Sequence, residues 1–184
     1  RDLCRRGGRA LRENVAGIRR DDCRENEKLK RRMEKIDVEA RVEKARTLFQ
    51  EGYNCAQSVF LTYSDVFGMD TALAARLAAS FGGGMGRMRE VCGTVSGMAM
   101  IAGLIEPADR PEDKDAKARN AALVREFADT FRQENGSIIC RELLGLDQKE
   151  GDASVAPRKR PCVKFVATAA RIVGEKLTVS TENE

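Results

Sequence analysis

Histidine and tryptophan are absent from the 184 residues, and only two tyrosines and seven phenylalanines are present. Without histidine there is no Ser-His or Cys-His nucleophile pair, no imidazole general base and no His-containing metal set. Proton transfer falls to Cys, Asp, Glu, Lys or Tyr. No stretch reaches the ~18 apolar residues that a membrane span needs. The N-terminal residues lack the apolar core of a secretory signal. Arg5-Arg6, Arg19-Arg20 and Arg31-Arg32 precede no hydrophobic run, which excludes a twin-arginine export signal. Alternating Val-, Ile- and Thr-rich runs are missing, so β-structure has no good candidate. No two cysteines are spaced Cys-x-x-Cys, which rules out a zinc ribbon and a thioredoxin-type motif. The expected location is cytoplasmic, where clustered cysteines more often bind metal or do redox work than form lasting disulfides.

Charge is unevenly spread. Residues 1–32 hold twelve Lys/Arg against six Asp/Glu, a net +6, while the remaining 21 and 23 give −2. A near-neutral body argues against nucleic-acid binding by the fold itself. The first 32 residues read as a basic extension, disordered or not native, with Met33 as the expected natural start and Cys4 and Cys23 outside the site. The rival is a basic arm for nucleic acid or anionic lipid. Residues 33–178 read as one domain, followed by a tail over 179–184.

From Asp37 onward the pattern is helical, and the expected fold is an all-α, single-domain bundle of about six to seven helices. Asp37 caps the first helix and Gly52 stops it; Asn54 caps a second that runs through Phe67; Asp70 caps a third, Thr71 to Phe81. A glycine run at Gly82, Gly83, Gly84 and Gly86 leads into an apolar helix, Val91 to Ile105, expected to be buried on all sides. Gly93, Gly97 and Gly103 cost that helix roughly 1 kcal/mol each, so a neighbour or bound group must pack very close. Pro111 opens a long helix, Glu112 to Glu134, with Ala118, Ala122, Val124, Phe127, Ala128 and Phe131 on its apolar face. A short helix, Cys140 to Leu144, a polar connector over 146–160 and an amphipathic helix opened by Pro161 complete the chain.

Cys55, Cys92, Cys140 and Cys162 all fall at or near helix starts. Unpaired cysteine often serves as a small buried hydrophobe, but packing gives it no preference for that position. A thiolate does prefer it, because free N–H groups and the helix dipole lower its pKa. Up-down topology would gather three of these starts at one end, and the connector is long enough to add the fourth. The glycine run is a candidate cofactor-binding loop. It is not a phosphate loop, since no Gly-Lys-Ser/Thr follows and no strand precedes. A tight turn, or an anion nest assisted by Arg87 and Arg89, remains. Met85, Met88, Met98 and Met100 read as core rather than as a metal box.

Gly52-Tyr53-Asn54-Cys55-Ala56-Gln57, the glycine run with Cys92-Gly93-Thr94-Val95-Ser96-Gly97, and the single later cysteines Cys140 and Cys162 resemble the small redox-active proteins of the C-GCAxxG-C-C family. The resemblance covers roughly Val38 to Val173 and leaves out the basic extension. Thr94 stands where the family element has alanine, a change expected not to touch a thiol. What the resemblance implies is a redox role with a metal or iron–sulfur centre. The expected site is Cys55, Cys92, Cys140 and Cys162 together, either as two dithiol/disulfide couples or as four ligands of an iron–sulfur cluster or zinc. Cys92 and Cys55 are the leading redox thiols, with Cys92 the more reactive. The alternatives are a structural module around a closed Cys4 zinc site, and an enzyme using one thiolate, which the lack of histidine disfavours. A redox partner is implied but not identified, no membrane is expected, and a homo-oligomer is compatible.

Overall fold

The computed structural model describes residues 20–146 and 161–182, which form eight helices and no strand. They are α1 (Arg20–Met33), α2 (Val38–Gln50), α3 (Cys55–Ser64), α4 (Thr71–Ala79), α5 (Gly93–Ile105), α6 (Lys114–Asn135), α7 (Cys140–Leu143) and α8 (Cys162–Glu182). The fold is therefore all-α. Cys4 and the connector 147–160 lie outside the described residues.

The caps set the boundaries. Asp37 accepts from the Ala40 N–H, Asp70 from Leu73 and Asp113 from Ala116. Asn54 forms a full capping box with Gln57, satisfying two orphan donors at once. Gly52, Gly136 and Gly145 stand in left-handed conformations after α2, α6 and α7, which glycine adopts without the strain a side chain would bring. Pro111 does not open the long helix. Asp113 caps it, and α6 starts at Lys114.

The most enclosed helix is α3, with eight of its ten residues buried. It packs against α2, α4, α5 and α8. Its buried hydroxyls find carbonyls one turn back: Thr62 donates to Ser58 at 2.7 Å, and Ser58 to Asn54 at 2.9 Å. Tyr63 reaches across to the Ala170 carbonyl of α8 at 2.7 Å. Complete burial of α5 was expected, yet Met100, Leu104 and Ile105 keep partial exposure. The α5 glycines explain its position. A Cβ on Gly97 would lie 3.0 Å from the Ala56 carbonyl and from Val59, so the close neighbour there is α3.

Three further details differ from the sequence pattern. Helix α1 begins at Arg20, and its Leu29 and Met33 pack on the core. Helix α8 continues to Glu182, through most of the expected tail. On α6 the buried stripe is Ala116, Leu123, Phe127 and Phe131, while Ala118 and Ala122 face outward. Phe131 meets Phe165 of α8 edge to face, ring centroids 6.1 Å apart. No helix among the described residues is long and apolar enough to cross a membrane.

Candidate functional site

Cys55, Cys140 and Cys162 are the first residues of α3, α7 and α8, and Cys92 is the residue before α5. All four line one cavity of about 590 Å³. The four cysteines that sequence reasoning singled out thus line a common space, and all four are free thiols.

Local chemistry explains each placement. The Asn54 cap, whose amide also donates to the Ala79 carbonyl at 2.8 Å, fixes the start of α3 beneath the glycine loop. Cys92 and Cys140 are set by an isolated antiparallel bridge between Val91 and Ile139. The Cys92 N–H donates to Ile138 at 2.8 Å, and the Cys140 N–H to Glu90 at 2.6 Å. That register makes Cys92 and Cys140 diagonal neighbours on one side of the bridge. An ion pair between Arg141 and Glu90, 2.8 Å, ties the same two segments on the outside.

The glycine loop covers the cavity. Gly83, Gly84 and Gly86 have φ of +67°, +71° and +57°, and Met85, Arg87 and Arg89 share the left-handed region at +55°, +67° and +64°. Glycine is required at two places for space as well. A Cβ on Gly84 would stand 2.7 Å from the Cys140 Cβ, and one on Gly82 would overlap the Asn54 side chain at 2.6 Å. Gly93 plays the same part from α5, where a Cβ would lie 3.2 Å from that of Cys55. Two of the expected core methionines, Met85 and Met88, are exposed on this loop, because its left-handed path turns them outward; Met98 alone is fully buried.

The electrostatics reverse one expectation. Cys92 was read as a thiol lowered by its helix start, but burial pushes it up, outweighing hydrogen bonds from Thr94. Cys55 is raised as well, first by its hydrogen bond with Cys162, then by burial and by repulsion from Cys162, Cys92 and Cys140. Each thiolate thus penalises the next, and a cation placed among them would reverse the penalty. Thr94 is the functional residue that sequence reasoning missed. Its hydroxyl lies 3.1 Å from the Cys92 sulfur, so the departure from alanine does touch a thiol. Only its place two residues after Cys92 could have signalled this.

Donor chemistry is purely thiol, which suits a soft metal centre. Among the described residues, however, no three Cys, Asp or Glu side chains are close enough together to hold one ion. A closed single-ion Cys4 zinc site is therefore not preformed. Thiols are the ligands that an iron–sulfur centre takes, so the donor set lining the cavity fits one in chemistry.

An all-α bundle with four cysteines turned from helix starts into one cavity defines the class: a helical four-cysteine thiol protein. Residues 53–176 match the profile of the family described as "Putative redox-active protein (C_GCAxxG_C_C)", and the chain belongs to that family. No curated protein and no solved structure shows a significant match to it.

Proposed function

We propose that this is a cytoplasmic redox protein whose cavity holds an iron–sulfur cluster on Cys55, Cys92, Cys140 and Cys162. Convergence carries the reading: cysteines from four separate helix starts line one cavity of about 590 Å³. A cysteine used only as packing has no reason to face unfilled space. A disulfide pair needs two sulfurs in contact and no cavity. A zinc ion needs its sulfurs about 2.3 Å away on all sides, a convergence absent among the described residues.

When bound, such a cluster supplies one-electron transfer. The chain supplies the rest. The positive dipole ends of α3, α5 and α8 lie at the cysteines and offset part of the negative charge of four thiolates. Phe49 and Phe165 line the cavity with apolar surface, which limits water around the sulfurs. The glycine loop lets backbone rather than side chains form the wall beside Cys140.

Purification without oxygen, followed by iron and acid-labile sulfide analysis and visible spectroscopy, tests this. Brown protein with broad visible absorption is expected, bleached when any one of the four cysteines becomes serine. Colourless protein with neither iron nor sulfide sinks the reading.

One observation favours a second reading. Cys162 is the neighbour that raises the Cys55 thiol most, through a hydrogen bond between the two side chains. As a dithiol couple they would form one S–S bond, releasing two protons and passing two electrons to a disulfide acceptor. Mild oxidation of metal-free protein and peptide mapping would then show a Cys55–Cys162 link, with Cys92 and Cys140 still free.

A further inference from the structure

The cysteine cavity carries a charge pattern that a redox centre alone does not require. Besides the thiols, its ionisable lining among the described residues consists of Arg87 and Arg89, with no Asp, Glu or Lys. Among the described residues neither arginine has an ion-pair or hydrogen-bond partner for its side chain, whereas Arg141 nearby is paired with Glu90. Beside them the N–H groups of Gly82, Gly83 and Gly84 donate to no acceptor among the described residues, although Gly84 is buried. Unpaired backbone donors away from water are uncommon, because each costs about as much as a lost hydrogen bond. Three successive donors and two arginines, Arg87 exposed and Arg89 half-buried, make this wall of the cavity positive.

We infer that the cavity admits a small anionic ligand, one bearing a carboxylate or oxyanion group, held by Arg87, Arg89 and the Gly82–Gly84 backbone beside the thiols. This names the substrate class of the site proposed above and rests on that site being the working one. The ligand is small because the arginines line the cavity itself. Its charge follows from the absence of any acid among the lining residues described. Arg87 and Arg89 are binding residues in this scheme and take no part in electron transfer.

Two measurements on the full chain test it. Inorganic sulfate, added at constant ionic strength with chloride as the control, should raise the Tm of the purified protein saturably. The effect should vanish in Arg87→Asn/Arg89→Asn, a pair chosen because asparagine tolerates the left-handed backbone at both positions. In reduced, metal-free protein, checked for folding by circular dichroism, the anionic reagent iodoacetate should alkylate Cys55 and Cys162 about tenfold more slowly in the double variant than in the wild type. Neutral iodoacetamide should react equally with both. Faster reaction with both reagents would mark an opened fold, and Arg87→Lys/Arg89→Lys, which keeps the charge, then supplies the comparison and should hold both reagents near their wild-type rates. No sulfate effect together with an unchanged ratio of the two reagents overturns the inference. Iron-loaded protein without an anion effect refutes this inference only. An anion effect in protein that never holds iron leaves it standing and refutes the cluster.

Discussion

Left-handed backbone at Met85, Arg87 and Arg89 costs each residue about 1–2 kcal/mol relative to its ordinary conformations. Such strain persists only where surroundings impose it, and it gathers at functional sites. Met85 is exposed and does not line the cavity. Met85→Gly should therefore stabilise the protein by about 1 kcal/mol, read as a higher urea midpoint with an unchanged slope. Gly84→Ala should do the opposite. It adds both a strained φ and a Cβ 2.7 Å from that of Cys140, so a loss of at least about 2 kcal/mol is expected, with faster alkylation of Cys140 as the loop lifts. At Thr94, replacement by alanine removes the hydroxyl that lowers the Cys92 thiol. Cys92 should then react more slowly with iodoacetamide, while Cys55 keeps its rate.

Among the elements, α3 is the one against which the rest is placed, and its contacts set two limits on stability. Gly97→Ala would press a methyl group against the Ala56 carbonyl and Val59. Separating α5 from α3 should cost about 1–3 kcal/mol and shift Cys92 relative to Cys55, visible as a lower Tm and weaker metal uptake. At the other end of α3, Asp65 accepts from Arg41 at 2.6 Å and from Lys44 at 3.3 Å, both on α2. Burial raises the Asp65 carboxyl, but the Arg41 hydrogen bond and charge, with help from Lys44, outweigh it and leave the pKa lowered. A lowered folded pKa stabilises above the ordinary value of 3.8 and is lost as pH falls through the folded value. Asp65→Asn should thus cost at most about 1 kcal/mol near neutrality and nothing once the wild-type carboxyl is protonated, as paired pH melts would show.

For the whole molecule, Tyr63 joins α3 to α8 and adds to an alkaline limit that the raised Cys55 and Cys92 thiols begin to impose above about pH 9. Burial lifts its hydroxyl well above the ordinary 10.0, with the Arg41 charge opposing only in part. A raised folded pKa means that the unfolded chain releases this proton first, so the stability it confers is complete below about pH 10 and declines above it. Tyr63→Phe should flatten that decline while costing about 1 kcal/mol at neutral pH for the lost bond to Ala170. The same body holds the cavity together through parts distant in the chain: the bridge at Val91 and Ile139, the α3 cap and the start of α8. A disturbance in any of these should reach the thiols.

The all-helical class, most helix starts and the four cysteines were legible because they are local. Capping residues act within a turn, and helical periodicity repeats every few positions. Asp37, Asn54 and Asp70 each signal a start without help from the rest of the chain. Local pattern failed where distant residues decide. Arg20–Met33 is too polar to read as a core helix, yet Leu29 and Met33 find the core. Nothing near Met85 or Met88 shows that a left-handed loop will turn them to solvent. The direction of the Cys92 and Cys55 shifts was misread for the same reason. Helix starts favour thiolates locally, but burial and the company of other sulfurs are products of assembly. Sequence by itself thus determined which elements form and which atoms could do chemistry. Tertiary packing decided that those atoms share one cavity, which of them touch, and how charged their surroundings are, because desolvation and Coulomb repulsion depend on distance in space and not along the chain.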